Sequence, residues 1–340
     1  MERMNSATPP SPDRVQGDSD SRASPGGRCP SLSVVVCTRD RPQALAACVR
    51  SVAGQTLRPA ELIVVDDGEL SEQDLGTLRS ICEPAGIPLV YLRKAEPSLP
   101  KSRNLAVRHT RGEIVQFLDD DVTLEPEFCR EILDLYAADA DGTLLGTEGA
   151  LIEPGPHSFR ARIFDWVYQL AGWWALRPRT CDRPPSPPPL RNPRRATPAW
   201  NIVGATMAFR RSALLTRPFD EVLSGYALGE DRDMAYRISR HGWIARSHTA
   251  RAIHHHEPAG RPHPFTFGRM VVRNYVRIMM RNGLTGVGDR LVIAYSITVV
   301  ALSLLPFSLV SPRRYLPEFL GMVAGGCQLI CGAAKRHTCS

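Results

Sequence analysis

From residue 32 onward, short β-branched runs alternate with segments whose apolar positions recur at helical spacing. Leu32-Ser-Val-Val-Val-Cys37 ends in the polar Thr38-Arg39-Asp40-Arg41-Pro42, as a buried strand ending in a loop does. Residues 44–53 then place Leu45, Cys48, Val49 and Val52 on one face of a predicted helix. Glu61-Leu-Ile-Val-Val-Asp66-Asp67-Gly68 is the next strand and turn, which completes a β-α-β unit. The alternation continues with a helix over 75–82, a strand over 89–92, a helix over 100–110 and a strand over 114–118. Such a pattern predicts an α/β fold with a mostly parallel, right-handed, Rossmann-like sheet flanked by helices. Ligands of these sheets bind beyond the carboxyl ends of the strands, where Thr38, Asp66-Asp67 and Asp119-Asp120-Asp121 all fall.

Three stretches depart from this pattern. Residues 1–30 hold prolines, glycines, serines and charges with almost no apolar periodicity, which predicts a disordered tail and no signal peptide. Residues 177–198 carry Pro178, Pro184, Pro185, Pro187, Pro188, Pro189, Pro193 and Pro198. That density excludes helix and sheet and predicts a mobile loop, either a lid over a substrate or a surface insertion. Residues 291–311 run without a charge for 21 positions, long enough to cross a hydrocarbon core. A second apolar stretch over 315–334 contains Glu318, Gly321, Gly325 and Gly326, so a re-entrant or interfacial hairpin competes with two crossings and with a buried soluble pair. If both segments cross, the flanking basic residues put the rest of the chain on the cytoplasmic face. The expected division is a tail over 1–30, a core domain over 31–285 and membrane-associated hydrophobic helices over 286–340.

Composition narrows the chemistry. With 340 residues, 43% of them apolar, the chain can bury a sizeable core. Its net charge of +7, with Arg191, Arg194, Arg195, Arg269, Arg273, Arg277 and Arg281 in the second half, favours phosphates or anionic lipid head groups. No nucleic-acid-binding signature accompanies that charge, so a nucleic-acid partner is not expected. Cys37, Cys48 and Cys129 sit in apolar runs and read as reduced core thiols. Cys327 and Cys331 have no second pair to make a zinc site.

The acidic groups carry the chemistry. Three adjacent carboxylates at Asp119, Asp120 and Asp121 repel one another, and Mg2+ or Mn2+ relieves such crowding while taking its other ligands from water and substrate phosphates. An acidic turn before a helix near Pro126 would explain the triplet as well. Asp66-Asp67-Gly68 could accept hydrogen bonds from a base or ribose, or be only a turn. Arg103 could pair with a phosphate. Glu230 and Asp231 open an apparent helix, where they suit the dipole, yet a carboxylate there could also deprotonate an acceptor hydroxyl. After the strand-like residues 249–253, the run His254-His255-His256 offers imidazole ligands, at most two of them to one ion because neighbours on a strand face opposite ways.

The order of these motifs resembles the inverting family 2 glycosyltransferases, which adopt the nucleotide-diphospho-sugar transferase (GT-A) fold, over about residues 32–285. Val34-Val-Val-Cys-Thr38-Arg-Asp40-Arg41-Pro resembles the family's opening strand and nucleotide-binding loop, and Ile63-Val-Val-Asp-Asp67-Gly its second strand with a base-contacting aspartate. Ser102-Arg103-Asn104 matches a third element. Phe117-Leu-Asp-Asp-Asp121 resembles the Asp-x-Asp metal motif, which implies Asp119 and Asp120 at the donor, Asp119 and Asp121 as the outer pair, and Asp121 as direct ligand. Gly229-Glu230-Asp231 implies Asp231 as catalytic base with Glu230 beside it, and the family's late metal histidine would be His254 or His256. Glu69 departs from the serine many relatives carry after the Asp-Asp-Gly turn.

The resemblance implies transfer of a sugar from a nucleotide-diphospho-sugar donor to a glycan or lipid-linked acceptor, with the membrane engaged through residues 291–334. Two rivals are a metal-dependent phosphohydrolase, which would not explain the Gly229-Glu230-Asp231 element, and a membrane-tethered nucleotide-binding scaffold without catalysis, which would need the base or metal group to be missing, and neither is. The aromatic stretch from Phe164 through Trp166 and Tyr168 to Trp173 and Trp174 reads as a sugar-stacking or interfacial segment, or as a core helix.

Overall fold

The computed structural model describes residues 29–152, 186–223, 226–257 and 262–337. Most of the predicted N-terminal tail, the aromatic stretch and the first half of the proline-rich segment lie outside the described residues.

The parallel half of the sheet is β1 (Leu32–Thr38), β2 (Glu61–Asp66), β3 (Leu89–Arg93) and β4 (Ile114–Asp119), in the order β3-β2-β1-β4. The apolar runs of β1, β2 and β4 are buried on both faces, as strands covered by helices on either side must be, while β3 at the edge is only half-buried. Val34 and Val36 pack against α1 (Pro42–Ala53), α2 (Glu72–Cys82) and α4 (Phe128–Ala137). Val35 faces α3 (Leu99–His109), α5 (Arg211–Thr216) and α6 (Glu230–Ser239). Helix α1 opens with Pro42 in its first turn, and α2 with a capping box in which Ser71 and Asp74 exchange hydrogen bonds. The buried thiols of Cys48, Cys82 and Cys129 belong to this core, and burial pushes that of Cys37 up to about 12.

Beyond β4 the sheet becomes mixed. β8 (Met207–Arg210) runs antiparallel between β4 and β6 (Leu144–Ile152), and β9 (Trp243–His254) lies parallel to β6. The short β5 (Val122–Leu124) pairs antiparallel with the end of β9, so that Val122 faces His254. The exclusion of regular structure from 177–198 is corrected in its described part. Pro188–Arg191 forms a 3-10 turn, and β7 (Ala196–Ala199) pairs with β9, Pro198 opposite Ala245. β7 is bonded on one side only, where a missing N–H costs no ladder bond.

Three helices complete the described chain: α7 (Pro264–Arg281), α8 (Val287–Val310) and α9 (Pro312–His337). Among the described residues α8 is the one helix long and apolar enough to cross a membrane, with hydropathy 2.1 over its most apolar window. The glycines that break the second apolar stretch have a packing reason. A Cβ on Gly321 would run into the Phe265 carbonyl of α7, and one on Gly268 into the Glu318 carbonyl of α9, so the two helices meet backbone to backbone. Gly268→Ala and Gly321→Ala should each lower unfolding free energy by about 1–3 kcal/mol, read as a fall in Tm. Gly326→Ala, with nothing within 4 Å, should be neutral or stabilising by up to about 1 kcal/mol.

Candidate active site

Strand register builds one end of the site. Thr38 lies opposite Asp66 and Cys37 opposite Asp119, so the polar ends of β1, β2 and β4 share one rim. The tight turn from β4 into β5 then swings Asp121 toward the end of β9. Ligand atoms of Asp119, Asp121 and His254 lie within 4.8 Å of one another, and His254 Nε2 is 3.2 Å from Asp121 Oδ1. The Glu257 N–H donates to Asp121 Oδ2 at 2.9 Å. Asp120 turns away from this group and accepts from the Thr38 hydroxyl at 2.8 Å and from Arg41 at 3.0 Å.

The three carboxylates are electrostatically distinct. Asp119 keeps 37% of its side-chain surface open to the cleft. Even so, desolvation by the cleft walls raises its pKa against the pull of Arg103, and the Asp121 charge adds to the rise. Burial likewise raises Asp120, opposed by Thr38 and Arg41. Burial would raise Asp121 too, but the hydrogen bond and charge of His254 hold it below the usual carboxylate range. Two carboxylates and an imidazole converging at one point suit a divalent cation of the Mg2+ or Mn2+ kind, which prefers oxygen donors and accepts a nitrogen. His255 turns instead to the Thr123 hydroxyl, 2.9 Å away. His256 reaches the cleft in a left-handed conformation, φ 55°, with its ring 4.0 Å from that of His254.

The second aspartate pair divides its work. Asp66 is fully buried and accepts from the Gly68 and Leu70 N–H groups and the Tyr91 hydroxyl, which builds the turn. Asp67 faces the cleft, accepts from the Ser98 N–H at 3.1 Å and Ser102 Oγ at 2.6 Å, and lies 3.1 Å from Lys94 Nζ. Asp40, expected at the nucleotide, lies beside the cleft lining and not in it. It is exposed with φ 56°, and it accepts from the Glu69 N–H at 3.3 Å, while a Cβ on Gly68 would run into it. Its side chain shapes the turn.

The start of α6 supplies the facing chemistry. Gly229, in the left-handed region at φ 89°, precedes Glu230 and Asp231 in the first turn. Arg103, only 2% exposed, ion-pairs with Glu230 and sits 3.4 Å from Asp119 Oδ1. Its guanidinium packs over the rings of Phe117 and Phe219, 5.6 and 5.5 Å from their centres. Its charge faces two protein carboxylates in the same cleft. Glu230, 5% exposed, is bound to that arginine and accepts from the Asp231 N–H, while backbone groups hold the Asp231 carboxylate. The Gly204 N–H donates to Asp231 Oδ2 at 2.9 Å, and the Arg232 N–H to Oδ1 at 2.7 Å.

Several contributors escape sequence reasoning. Glu148, buried in β6, accepts from the Val203 N–H at 2.8 Å and from Arg246 at 2.6 Å, and so holds the segment that presents Gly204. Burial raises its pKa against the opposing charge of Arg246. A carboxylate inside an otherwise apolar strand was the one available signal. Val271, Tyr275 and Ile278 of α7 form an apolar wall of the cleft, whose volume is about 500 Å³.

Comparison with known proteins agrees with this geometry. Residues 33–216, more than half of the 340-residue chain, match the family model described as Glycosyl transferase family 2. The chain is 29% identical over 122 residues to the glucosyl-dolichyl phosphate glucuronosyltransferase of Haloferax volcanii, covering 34% of this chain and 37% of that protein. It is 26% identical over 256 residues to the chondroitin synthase of Escherichia coli, covering 68% of this chain and 35% of that protein. The chain thus spans little more than a third of the length of these relatives. A Pyrobaculum calidifontis mannosyltransferase solved with GDP-Man and Mn2+ superposes with a TM-score of 0.54 at 16% identity, covering 88% of this chain and 87% of that one. GalNAc-T7, solved with UDP, GalNAc and Mn2+, gives 0.55 at 16% identity over 74% and 48% of the two chains. The shared architecture is the GT-A fold.

The buried Arg103–Glu230 pair generates a stability prediction. Arg103→Met leaves Glu230 without its cation and should cost about 3–5 kcal/mol in denaturant unfolding. Arg103→Met combined with Glu230→Gln should recover part of that loss, a non-additivity that a double-mutant cycle measures.

Proposed function

Because the chain belongs to glycosyl transferase family 2, we propose that it moves a sugar from a nucleotide-diphospho-sugar to an acceptor hydroxyl, with inversion and with Mg2+ or Mn2+ bound. The observation that carries this reading is one cleft lined both by the Asp119, Asp121 and His254 group and by Asp231. The first group can hold a cation and a diphosphate, and the second can act on an acceptor.

Asp119, Asp121 and His254 would hold the metal, which when bound supplies positive charge for the leaving diphosphate. Asp67 accepts from the donor's base, and Thr38, Arg41 and Asp120 orient the segment beside it. Arg103 holds Asp119 and Glu230 in register and acts on the donor through them. Asp231 takes the proton of the acceptor hydroxyl as that oxygen bonds to the anomeric carbon. The bond to the diphosphate oxygen breaks on the opposite face, the nucleoside diphosphate leaves with the electron pair, and the configuration inverts. The Gly204 and Arg232 N–H groups aim the carboxylate, and lone pairs remain for the acceptor.

A glycan or lipid-linked acceptor is supported by relatives named for a dolichyl phosphate and for chondroitin synthesis. Association with a membrane through residues 291–334 is supported by the length and apolarity of α8, and placement of the catalytic domain on the cytoplasmic face by the basic residues flanking the two apolar segments.

A panel of sugar nucleotides, with and without Mn2+, tests the reading; release of inorganic phosphate with no glycosylated product would favour a phosphohydrolase and sink it. Asp231→Asn should lower kcat by about 10²–10⁴ with the donor dissociation constant little changed. Near-normal turnover would remove Asp231 from the role, and NMR of the product's anomeric centre checks inversion. Mn2+ should raise Tm, and Asp121→Asn should abolish that rise. Asp119, with its raised pKa, must shed its proton to bind a cation. Mn2+ affinity by calorimetry should therefore weaken on acidification from a higher pH than an ordinary carboxylate would dictate.

A further inference from the structure

Helices α8 and α9 carry an apolar surface that the transfer chemistry leaves unused. On α8, Leu291, Tyr295, Leu302, Leu305 and Leu309 are exposed at helical spacing, while Ile293, Val300, Ala301 and Leu304 on the other side are buried. On α9, Leu316, Leu320 and Val323 continue the exposed surface. Charge borders it: Arg290 precedes the apolar run, and Arg313 and Arg314 are exposed just after it.

What α8 packs against decides how this surface can meet a bilayer. Ile293 clusters with Tyr275, Ile278 and Met279 of α7, and further along Val300, Ala301 and Leu304 cluster with Val272. α8 therefore runs back along α7. That helix is tied into the catalytic domain, with Asn274 donating to the Leu228 carbonyl at 3.0 Å and Arg277 to Asp220 at 2.8 Å. Were α8 to cross a bilayer, α7 would enter the hydrocarbon beside it with Arg269 and Arg273 on its surface, where cations are strongly disfavoured. The turn at Ser311 would also carry Arg313 and Arg314 to the far side, against the tendency of basic residues to remain cytoplasmic. A helix lying in the interface avoids both costs, with its apolar stripe among the acyl chains and the arginines at anionic head groups.

Resting on the membrane-associated reading above, we propose that α8 and α9 seat the protein in a single leaflet of an anionic bilayer, α8 lying in the plane of the interface and not crossing it. The partner is the phosphate-bearing lipid surface, chosen by the net charge of +7 and the arginines that border the stripe.

The test uses the full chain with Cys29, Cys181, Cys327, Cys331 and Cys339 replaced by serine and Ser311→Cys as reporter. It is reconstituted in sealed vesicles of phosphatidylcholine and phosphatidylglycerol, and those exposing an N-terminal epitope are captured. A membrane-impermeant maleimide should label the reporter from outside without detergent. Labelling only after detergent means that α8 crosses, which overturns the proposal while leaving membrane association standing. Failure of the protein to float with any vesicles overturns membrane association itself. Leu302→Glu with Leu309→Glu, remote from the cleft, should abolish flotation with the circular dichroism spectrum unchanged. Unaltered flotation of that variant would overturn the stripe as the seat.

Discussion

Asp119, Asp120, Asp121, Glu230 and Asp231 are among the acidic residues that line a single cleft, and the rest of the site depends on the guanidinium of Arg103 that holds this arrangement together. Its planar fork reaches Glu230, Asp119 and the Gly204 carbonyl at once, and the faces of Phe117 and Phe219 keep it from water. A lysine ammonium lacks that flat geometry. The cation belongs to α3, one of the acids to β4 and the other to α6, so a single buried side chain ties the β4 side of the cleft to the α6 side.

Around that pivot the two halves of the sheet have different tasks. The parallel half presents strand ends, and register brings Thr38, Asp66 and Asp119 to one rim. The mixed half works through backbone. Glu148, braced by Arg246, holds the Val203 N–H, and the next amide along holds Asp231. Close packing accounts for the glycine at that point: a Cβ on Gly204 would stand 3.1 Å from Arg103 Nη2 and 3.3 Å from Glu230 Oε1. The Gly204 and Arg232 N–H groups are fixed dipoles that hold the Asp231 carboxylate in one orientation.

Helix α7 joins the cleft to the apolar end of the chain. Val271, Tyr275 and Ile278 face the cleft, Val272 and Met279 face α8, and Gly268 lets α9 approach its backbone. An element packed against both α8 and α9 leaves little freedom for α8 to depart independently of it.

Much of this was legible along the chain. Residues 114–118 were predicted as a strand and β4 spans Ile114–Asp119; residues 75–82 were predicted as helix and α2 starts three residues earlier, at its capping box. Strand ends, helix starts and acid clusters are local, because hydrophobic period and turn chemistry act over a few residues. The sequence by itself thus determined the α/β alternation, the acids at the strand ends and the Glu230-Asp231 helix start. Only tertiary structure decided that His254, not His255, joins Asp119 and Asp121, since that follows from β5 pairing with β9. It also decided that Arg103 serves Glu230, 127 positions away, and that an amide at Gly204 aims Asp231. Contacts so distant in sequence leave no periodic trace, and a backbone N–H is the same in every residue but proline.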